Sequence, residues 1–173
     1  MVSETELIHT IVKKLKQYHA RHIVVDPVMV STSGSRLIED SALDALKYEL
    51  IPLSEIITPN IPEAEVLIGK KIKSKEDMIR AAQDIRQWYQ GDILIKGGHF
   101  EDRADDLLYH NNEKIWLECE HIDNPNTHGT GCTLSSAIAS HLASGYDMIT
   151  SVRKAKDYIS GALKANLDLG HGS

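Results

Sequence analysis

The 173-residue chain lacks several features that would assign it to a broad class at once. No apolar run approaches the ~18 residues that a membrane-spanning helix needs. It has only two cysteines and no segment typical of a secretory leader, which predicts a reducing compartment without a disulfide framework. Its formal net charge is −6 and no run of lysine and arginine is longer than Lys70-Lys71, so nucleic acid is not expected as a partner. We therefore expect a soluble cytoplasmic protein that binds neither nucleic acid nor membranes.

Three common functional signatures are also missing. The chain contains no Gly-x4-Gly-Lys-[Ser/Thr] motif, which excludes a Walker-type NTPase. It has no Gly-x-Ser-x-Gly elbow of a hydrolase. Gly129-x-Gly131 lacks the third glycine of the dinucleotide fingerprint. The function must therefore be sought in the polar residues that follow the predicted strands.

The hydrophobic patterning predicts an α/β protein. Short apolar runs predict strands at residues 22–25, 55–58 and 92–95, and a hairpin of residues 106–110 and 114–120 flanks Asn111-Asn112. Helical periodicity predicts the intervening helices. The first two helices span residues 3–19, with Ser3 as N-cap, and residues 41–50, closed by Pro52. A short helix then opens at Pro62 and ends at Gly69, and a longer one spans residues 74–90, with Ser74 and Asp77 as a capping box. Of the last two helices, one follows Gly131 and the other spans residues 147–169. We expect one domain over residues 1–173, with a mostly parallel sheet between helical layers.

Polar residues follow each predicted strand. Asp26 ends the first strand, Thr58 and Asn60 end the second with Glu63 three residues later, and Lys96 ends the third. Ligands of an open α/β sheet bind at the carboxyl ends of its strands, so we expect these side chains at one sheet edge. Lys96 suits phosphate oxygens, whereas Asp26, Asn60 and Glu63 carry oxygen ligands of the kind magnesium takes. Three of these residues also have a purely structural interpretation: Lys96 as a lysine at a strand end, Asp26 as part of an Asp-Pro turn, and Asn60 as a helix cap.

The stretch from Asn126 to Leu134 combines a glycine turn with the start of a helix. Gly129 and Gly131 flank Thr130, and apolar residues then recur every four residues. Backbone N–H groups and the positive end of a helix dipole would meet there, which suits phosphate. Cys132 lies in the first turn, where the same field favours the thiolate. An anion site beside an activatable base is what phosphoryl transfer needs, but the pattern also fits a plain helix cap with an inert core cysteine.

A metal site of another class is the competing interpretation of the cysteines. Cys119, His121, His128 and Cys132 form a Cys-x-His pair and a His-x3-Cys pair, which could hold structural zinc. Cys132 would then have to point away from its own helix start, and Cys119 and His121 fall within or next to a predicted strand. Zinc is therefore the weaker interpretation.

Four motifs stand in order along the chain: Asp26-Pro27-Val28-Met29-Val30, Thr58-Pro59-Asn60-Ile61-Pro62-Glu63-Ala64-Glu65, Lys96-Gly97-Gly98-His99 and His128-Gly129-Thr130-Gly131-Cys132-Thr133. With them, effectively the whole chain resembles the hydroxymethylpyrimidine and hydroxymethylpyrimidine-phosphate kinases of thiamine biosynthesis, within the ribokinase-like superfamily. The resemblance implies a ribokinase-like three-layer αβα sandwich. It also implies ATP as donor, magnesium as cofactor, and hydroxymethylpyrimidine or its monophosphate as the small-molecule substrate.

The resemblance implies catalytic and acceptor roles for the residues that match. Cys132 takes the place of the aspartate base found in most ribokinase relatives, and Gly129, Thr130 and Gly131 belong to the same catalytic turn. Val28 matches a residue beside the pyrimidine.

The cofactor roles follow in the same way. Asn60 and Glu63 match the Asn-x-x-Glu motif that organises magnesium, and Lys96 matches the lysine that contacts ATP phosphates. The predicted metal ligands are Glu63 and Asp26. The predicted cofactor-binding residues are Thr58, Asn60, Lys96 and Thr127.

The resemblance further predicts that the chain is truncated at its N-terminus. Family members begin with strands and a glycine-rich segment that grips the pyrimidine, and these would precede Met1. We therefore expect the nucleotide-binding side of a kinase, poorly active by itself, whose exposed sheet edge promotes homo-oligomers. Two alternatives stay open: a pyridoxal-type kinase of the same superfamily, and a non-catalytic nucleotide-binding fragment.

Overall fold

The computed structural model of the protein describes residues 2–30, 37–98, 105–118 and 129–165, apart from the side chain of residue 40. The chain divides into two compact units, Met1–Cys119 and Glu120–Ser173. The first unit contains a sheet with its helices, and the second contains a pair of helices. That both belong to one domain stays a prediction.

The described residues of the first unit form a five-stranded sheet with the strand order β1-β2-β3-β4-β5. Its strands are β1 (Val24–Val25), β2 (Ile56–Ile57), β3 (Asp92–Ile95), β4 (Asp106–His110) and β5 (Glu113–Leu117). The first three are parallel, with Val25 opposite Ile57 and Ile57 opposite Ile93. β4 is antiparallel to β3, and β5 is antiparallel to β4. The three predicted strands and the predicted hairpin are therefore confirmed as two parts of one mixed sheet.

The described part of this unit contains the helices α1 (Thr5–Gln17), α2 (Asp40–Ala45), α3 (Ile61–Ile68) and α4 (Lys75–Arg86). α3 begins after Asn60 and ends before Gly69, as predicted. α4 begins after Ser74, whose hydroxyl accepts the Asp77 N–H at 3.2 Å. The Asp77 carboxylate accepts the N–H of Lys73 instead of that of Ser74. Only half of the predicted capping box therefore forms here.

Several helix boundaries differ from the prediction, and α4 ends at Arg86, four residues before the predicted end at residue 90. α1 begins at Thr5 with Glu4 as its N-cap, because the first helical hydrogen bond runs from the Ile8 N–H to the Glu4 carbonyl at 3.1 Å. Ser3 is therefore not the N-cap. α2 passes at its end into a π-helical turn and then a 3₁₀ turn, Ile51–Leu53. Pro52 lies inside that last turn, which tolerates a residue without an N–H, so it does not close an α-helix.

The turn of the hairpin explains why β4 and β5 pair in register. Asn111 and Asn112 connect them with φ angles of 48° and 67°. Two consecutive residues of positive φ form the type I′ turn whose twist matches that of the flanking strands, and asparagine tolerates this conformation well. The predicted second strand is shorter than expected and ends at Leu117, while residues 119 and 120 lie outside the described ranges.

Both faces of the sheet are buried along β2 and β3. Ile57, Ile93 and Ile95 pack into the main core together with side chains from the four helices. The alternate residues Ile56 and Leu94 point to the opposite face by the two-residue period of a strand, and both are fully buried as well. Burial of both faces is typical of the central sheet of a layered α/β fold, and the predicted fold class is confirmed.

The described part of the second unit consists of α5 (Thr130–Ala143) and α6 (Met148–Ala165), which pack against each other. The predicted four-residue spacing is confirmed, because Leu134, Ile138 and Leu142 are the buried residues of α5. The predicted end of the last helix at residue 169 lies outside the described residues. None of the helices in the described ranges combines the length and apolar content needed to cross a membrane.

Candidate functional site

Three residues that directly follow the parallel strands meet at one edge of the sheet. Asp26 follows β1, Thr58 follows β2 and Lys96 follows β3. Backbone pairing continues past the strand ends, since the Thr58 N–H donates to the Val25 carbonyl at 3.1 Å and the Lys96 N–H donates to the Pro59 carbonyl at 2.9 Å. This continued register brings the three side chains together, as the strand ends predict.

One oxygen of the Asp26 carboxylate accepts two side-chain hydrogen bonds. Thr58 Oγ1 donates to Asp26 Oδ1 at 3.0 Å, and Lys96 Nζ donates to the same oxygen at 2.9 Å. The side chains of Asp26 and Lys96 are only 12% and 18% exposed. Water and salt therefore screen this ion pair less than they screen a pair on the open surface. The hydroxyl and the ammonium together fix the orientation of the carboxylate.

Asn60 and Glu63 form a reciprocal capping box at the start of α3. The Glu63 N–H donates to Asn60 Oδ1, and the Asn60 N–H donates to Glu63 Oε2, each at 2.8 Å. The structural interpretation of Asn60 as a helix cap is therefore confirmed. Asn60 also pairs with Lys96 in a parallel bridge, so α3 begins at the same sheet edge. A role of the two side chains in cofactor binding stays a prediction.

Burial dominates the electrostatics of Glu63. Its side chain is almost fully buried, which raises the pKa of Glu63 to about 7, and the nearby Asp26 carboxylate acts in the same direction. The Asn60 N–H, the Lys96 ammonium and the backbone of Met29 lower this pKa and only partly offset the burial. Near neutral pH, Glu63 is therefore protonated in a large fraction of the molecules.

The loop after β1 brings Val28 to the same edge. The Val28 N–H donates to the Asp26 carbonyl at 2.9 Å, which closes a three-residue γ-turn. Val28 is half-buried, and Met29 beside it is fully buried. The backbone of Met29 forms a hydrogen bond with Glu63, so this loop lies against the start of α3. The structure thus places Val28 near the predicted metal ligands, while its contact with an acceptor stays a prediction.

Asp26 and Glu63 match the ligand chemistry of magnesium in a particular way. The described residues contain no group of three His, Cys, Asp or Glu side chains that could hold a metal by themselves. Magnesium usually binds through one or two carboxylates and completes its shell with water and substrate phosphates. Two carboxylates beside a lysine therefore fit a magnesium ion that arrives with a phosphorylated ligand.

Two acidic residues at the start of β4 also belong to this edge, and the sequence reasoning missed them. The Gly97 N–H donates to Asp106 Oδ1 at 2.8 Å. The neighbouring Asp105 accepts from Lys75 Nζ at 2.6 Å, and that ammonium lies 4.8 Å from the centroid of the Trp116 ring. Both aspartates are 3% exposed. The sequence did contain a signal for them, namely two consecutive aspartates at the start of an apolar strand. Charged residues are rarely buried without partners, so such a pair predicts specific contacts.

The glycine turn of the second unit opens α5 as predicted. Gly129 is the N-cap with a φ of 80°, a conformation that favours glycine. Its carbonyl accepts from the Thr133 N–H at 3.0 Å and from Thr133 Oγ1 at 2.9 Å. Thr130 and Gly131 form the first turn together with Cys132, which is exposed. This exposure contradicts the alternative of an inert cysteine buried in the core.

Several sequence interpretations fall outside the described residues. Thr127, predicted to bind the cofactor, is one of them. Three residues of the zinc alternative, Cys119, His121 and His128, are others. These interpretations stay predictions.

A family model described as phosphomethylpyrimidine kinase matches residues 1–173 of the chain. The chain belongs to the phosphomethylpyrimidine kinase family. One relative in this family is the hydroxymethylpyrimidine/phosphomethylpyrimidine kinase of Streptomyces coelicolor, which is 41% identical over 172 residues. The match covers 99% of this chain and 64% of the relative, so the chain spans slightly less than two thirds of the relative's length.

Solved structures of a phosphomethylpyrimidine kinase and of a pyridoxal kinase share the fold of this chain. The crystal structure of the Clostridium difficile phosphomethylpyrimidine kinase matches with a TM-score of 0.82 at 44% identity, covering 94% of this chain and 66% of that one. The Staphylococcus aureus pyridoxal kinase in complex with AMP-PCP matches with a TM-score of 0.87 at 31% identity, covering 95% of this chain and 60% of that one. The predicted ribokinase-like α/β fold is confirmed.

Proposed function

We propose that this chain carries the nucleotide-binding side of an ATP-dependent kinase that phosphorylates hydroxymethylpyrimidine, its monophosphate or both, in thiamine biosynthesis. The observation that supports this most is the meeting of Lys96 with Asp26 and Glu63 at one sheet edge. Phosphoryl transfer needs a cation for phosphate oxygens beside carboxylates for a metal ion. It also gains most of its rate from positioning and electrostatic stabilisation, which fixed strand ends supply.

Lys96 is assigned to the phosphates of ATP. Its ammonium is mostly shielded from water and holds one carboxylate oxygen of Asp26 at 2.9 Å. The oxygens of a phosphate can accept charge-assisted hydrogen bonds from the same ammonium. Thr58 would then keep the Asp26 carboxylate oriented through its 3.0 Å hydrogen bond. Asn60 would contribute by holding Glu63 at the start of α3.

Asp26 and Glu63 are assigned to magnesium, directly or through water. Bound magnesium would neutralise negative charge on the transferring phosphoryl group. Since the pKa of Glu63 is about 7, metal binding must compete with a proton near neutral pH. We therefore expect the affinity for magnesium nucleotide to rise as the pH increases through this value.

The role of the second unit is proposed from its own chemistry. The Gly129-Thr130-Gly131 turn opens a 14-residue helix, whose first N–H groups and dipole favour a phosphate. Cys132 is exposed in that turn and would act as the base that accepts the proton of the substrate hydroxyl. Thr127 is added to the nucleotide-binding set on the resemblance alone.

A pyridoxal-type kinase is the second candidate, because a pyridoxal kinase shares the fold closely. The acceptor contact assigned to this chain, Val28, does not separate the two substrates, since an apolar side chain suits either ring. The higher identity to the pyrimidine kinases favours the first candidate.

Calorimetric titration with Mg·ATP, followed by a coupled ADP-release assay, tests the proposal. The acceptors compared are hydroxymethylpyrimidine, its monophosphate and pyridoxal. We expect Mg·ATP binding and a slow release of ADP, faster with either pyrimidine than with pyridoxal. Faster release with pyridoxal would favour the second candidate, and binding without acceptor-dependent release would favour a non-catalytic fragment. Absence of Mg·ATP binding would contradict the proposal.

We also propose that the chain forms homo-oligomers and that residues 1–173 act as one domain. β1 lies at one end of the strand order, and a strand edge can pair with another chain. Light scattering after gel filtration tests the first point, and a monomer at every concentration would contradict it. A single cooperative unfolding transition is expected for one domain. A cytoplasmic location stays a prediction.

A further inference from the structure

The end of β3 is held from two sides. On one side, the Lys96 N–H donates to the Pro59 carbonyl at 2.9 Å, which ties β3 to the residues before α3. On the other side, the Gly97 N–H donates to Asp106 Oδ1 at 2.8 Å, which ties β3 to the start of β4. Lys96 and Gly97 are consecutive residues, so the two bonds clamp the backbone that carries the Lys96 side chain.

The side chain of Asp106 contributes where the regular ladder ends. The antiparallel pairing of β3 with β4 includes Ile95 opposite Leu107, so Gly97 comes opposite Asp105. The two backbones approach so closely there that a Cβ atom on Gly97 would lie 1.9 Å from the Asp105 carbonyl oxygen. The Gly97 N–H bonds to the Asp106 carboxylate at this point. A carboxylate acceptor makes a stronger bond than a carbonyl, and Asp106 is only 3% exposed.

We propose that Asp106 is a positioning residue for Lys96: it fixes the backbone next to Lys96 so that the ammonium stays within reach of Asp26 and of nucleotide phosphates. This inference rests on the proposed function of Lys96. The ammonium of a lysine is carried on a flexible four-carbon stem. Its position is therefore defined only if the Cα atom is fixed. Small displacements of a positioned group have large effects on phosphoryl transfer.

Simple electrostatics makes the opposite prediction, which allows a clean test. Asp106 is a negative group near the proposed phosphate site, so removal of its charge should strengthen the binding of an anion. If Asp106 positions Lys96, its removal should weaken Mg·ATP binding instead. The two effects therefore differ in sign.

The test is a double-mutant cycle in the full chain, with Mg·ATP affinity measured by calorimetry. We expect Asp106→Ala to weaken binding by roughly three- to thirtyfold, which lies within the range of coupling between interacting residues. In the Lys96→Ala background the same substitution should have little effect, because the group that it positions is absent. Asp106→Asn retains an oxygen acceptor for the Gly97 N–H and should lose less affinity than Asp106→Ala.

A matched control comes from the opposite end of β3. Asp92 lies 3.0 Å from His110 of β4 and is also largely buried, but it lies far along the strand from Lys96. Asp92→Ala should lower the thermal stability and leave Mg·ATP affinity unchanged. Unfolding curves for all variants show which ones are folded, and the cycle is read with Asp106→Asn where Asp106→Ala does not fold.

The possible results distinguish failure of the positioning role from failure of the proposed function. If Lys96→Ala weakens binding but the Asp106 variants bind as tightly as the parent chain or more tightly, the positioning role is wrong and the nucleotide site stands. An equal loss for the Asp106 variants with and without Lys96 also contradicts the positioning role. If the parent chain does not bind Mg·ATP at all, the proposed function fails, and this inference fails with it.

Discussion

Lys96 Nζ lies 2.9 Å from Asp26 Oδ1, although the two residues are 70 positions apart in the sequence. The Lys96 ammonium, which is assigned to phosphate, therefore forms an ion pair with the Asp26 carboxylate, which is assigned to the metal. Binding of Mg·ATP would exchange this one ion pair for two new contacts, a lysine with phosphate and a carboxylate with metal. The nucleotide and the metal should consequently favour each other's binding.

Replacing Lys96 tests its assignment to phosphate. We expect Lys96→Ala to weaken Mg·ATP binding by roughly 1–3 kcal/mol, the scale of a hydrogen bond to a charged group. Lys70→Ala is the control, because Lys70 is an exposed lysine paired with Asp84 at 2.7 Å. Titration calorimetry of both variants gives the comparison, and equal affinities would remove Lys96 from the site.

The Asp26–Lys96 pair leads to opposite predictions for metal-free and metal-bound ATP. Asp26→Asn removes a metal ligand and also releases the Lys96 ammonium from its carboxylate. We therefore expect Mg·ATP affinity to fall and the affinity for ATP in EDTA to rise, each by roughly 1–2 kcal/mol. Asp84→Asn serves as the control on the surface. A parallel loss of both affinities would mean that Asp26 supports the fold without acting as a metal ligand.

The buried Glu63 should make the protein less stable as the pH rises. Its pKa is about 7 in the folded chain against 4.5 for an ordinary glutamate, so the folded state holds a proton that the unfolded state has already released. The stabilisation is complete below about pH 4.5 and is lost between there and about pH 7. At about 1.4 kcal/mol per pKa unit, the loss amounts to about 3 kcal/mol.

Glu63→Gln should remove this pH dependence, because glutamine resembles protonated glutamate and can still accept the Asn60 N–H. Urea unfolding at several pH values should show little difference from the parent chain at pH 4 and a more stable variant at pH 8. Glu76→Gln is the control, since Glu76 is exposed in the first turn of α4. If Glu63→Gln keeps the full pH slope of the parent, another group is responsible for it.

Two neighbouring glycines should differ sharply in their tolerance of a methyl group. A Cβ on Gly97 would lie 1.9 Å from the Asp105 carbonyl oxygen, whereas a Cβ on Gly98 would meet no atom of the described residues within 4 Å. We expect Gly97→Ala to lower the free energy of unfolding by roughly 1–3 kcal/mol through overpacking. Gly98→Ala should leave it unchanged or raise it by up to about 1 kcal/mol, since alanine restricts the unfolded chain. Equal effects would argue against the close approach of β3 and β4.

The sequence alone determined where the strands and the hairpin turn form and which residues follow each parallel strand. The apolar runs before Asp26, Thr58 and Lys96 form parallel strands, and Asn111-Asn112 forms the hairpin turn. The apolar runs and the turn depend on residues within a few positions of one another, so periodicity and turn chemistry suffice to predict them. The parallel pairing joins remote segments, and it followed from the helices predicted between the strands. The predicted N-cap Ser3 was wrong, because helical hydrogen bonding begins one residue later, at the Glu4 carbonyl, and local patterns place a helix end only to within one or two residues.

Only the tertiary structure decided the charges and contacts within the site. The 2.9 Å pairing of Lys96 with Asp26, the burial that raises the pKa of Glu63 and the bond from Gly97 to Asp106 all depend on how separate strands and helices align. A carboxylate in the sequence is ionised or protonated, paired or exposed, according to neighbours that other segments bring to it. Desolvation and ion pairing depend on distances of a few ångströms, and local sequence patterns do not specify such distances between remote segments.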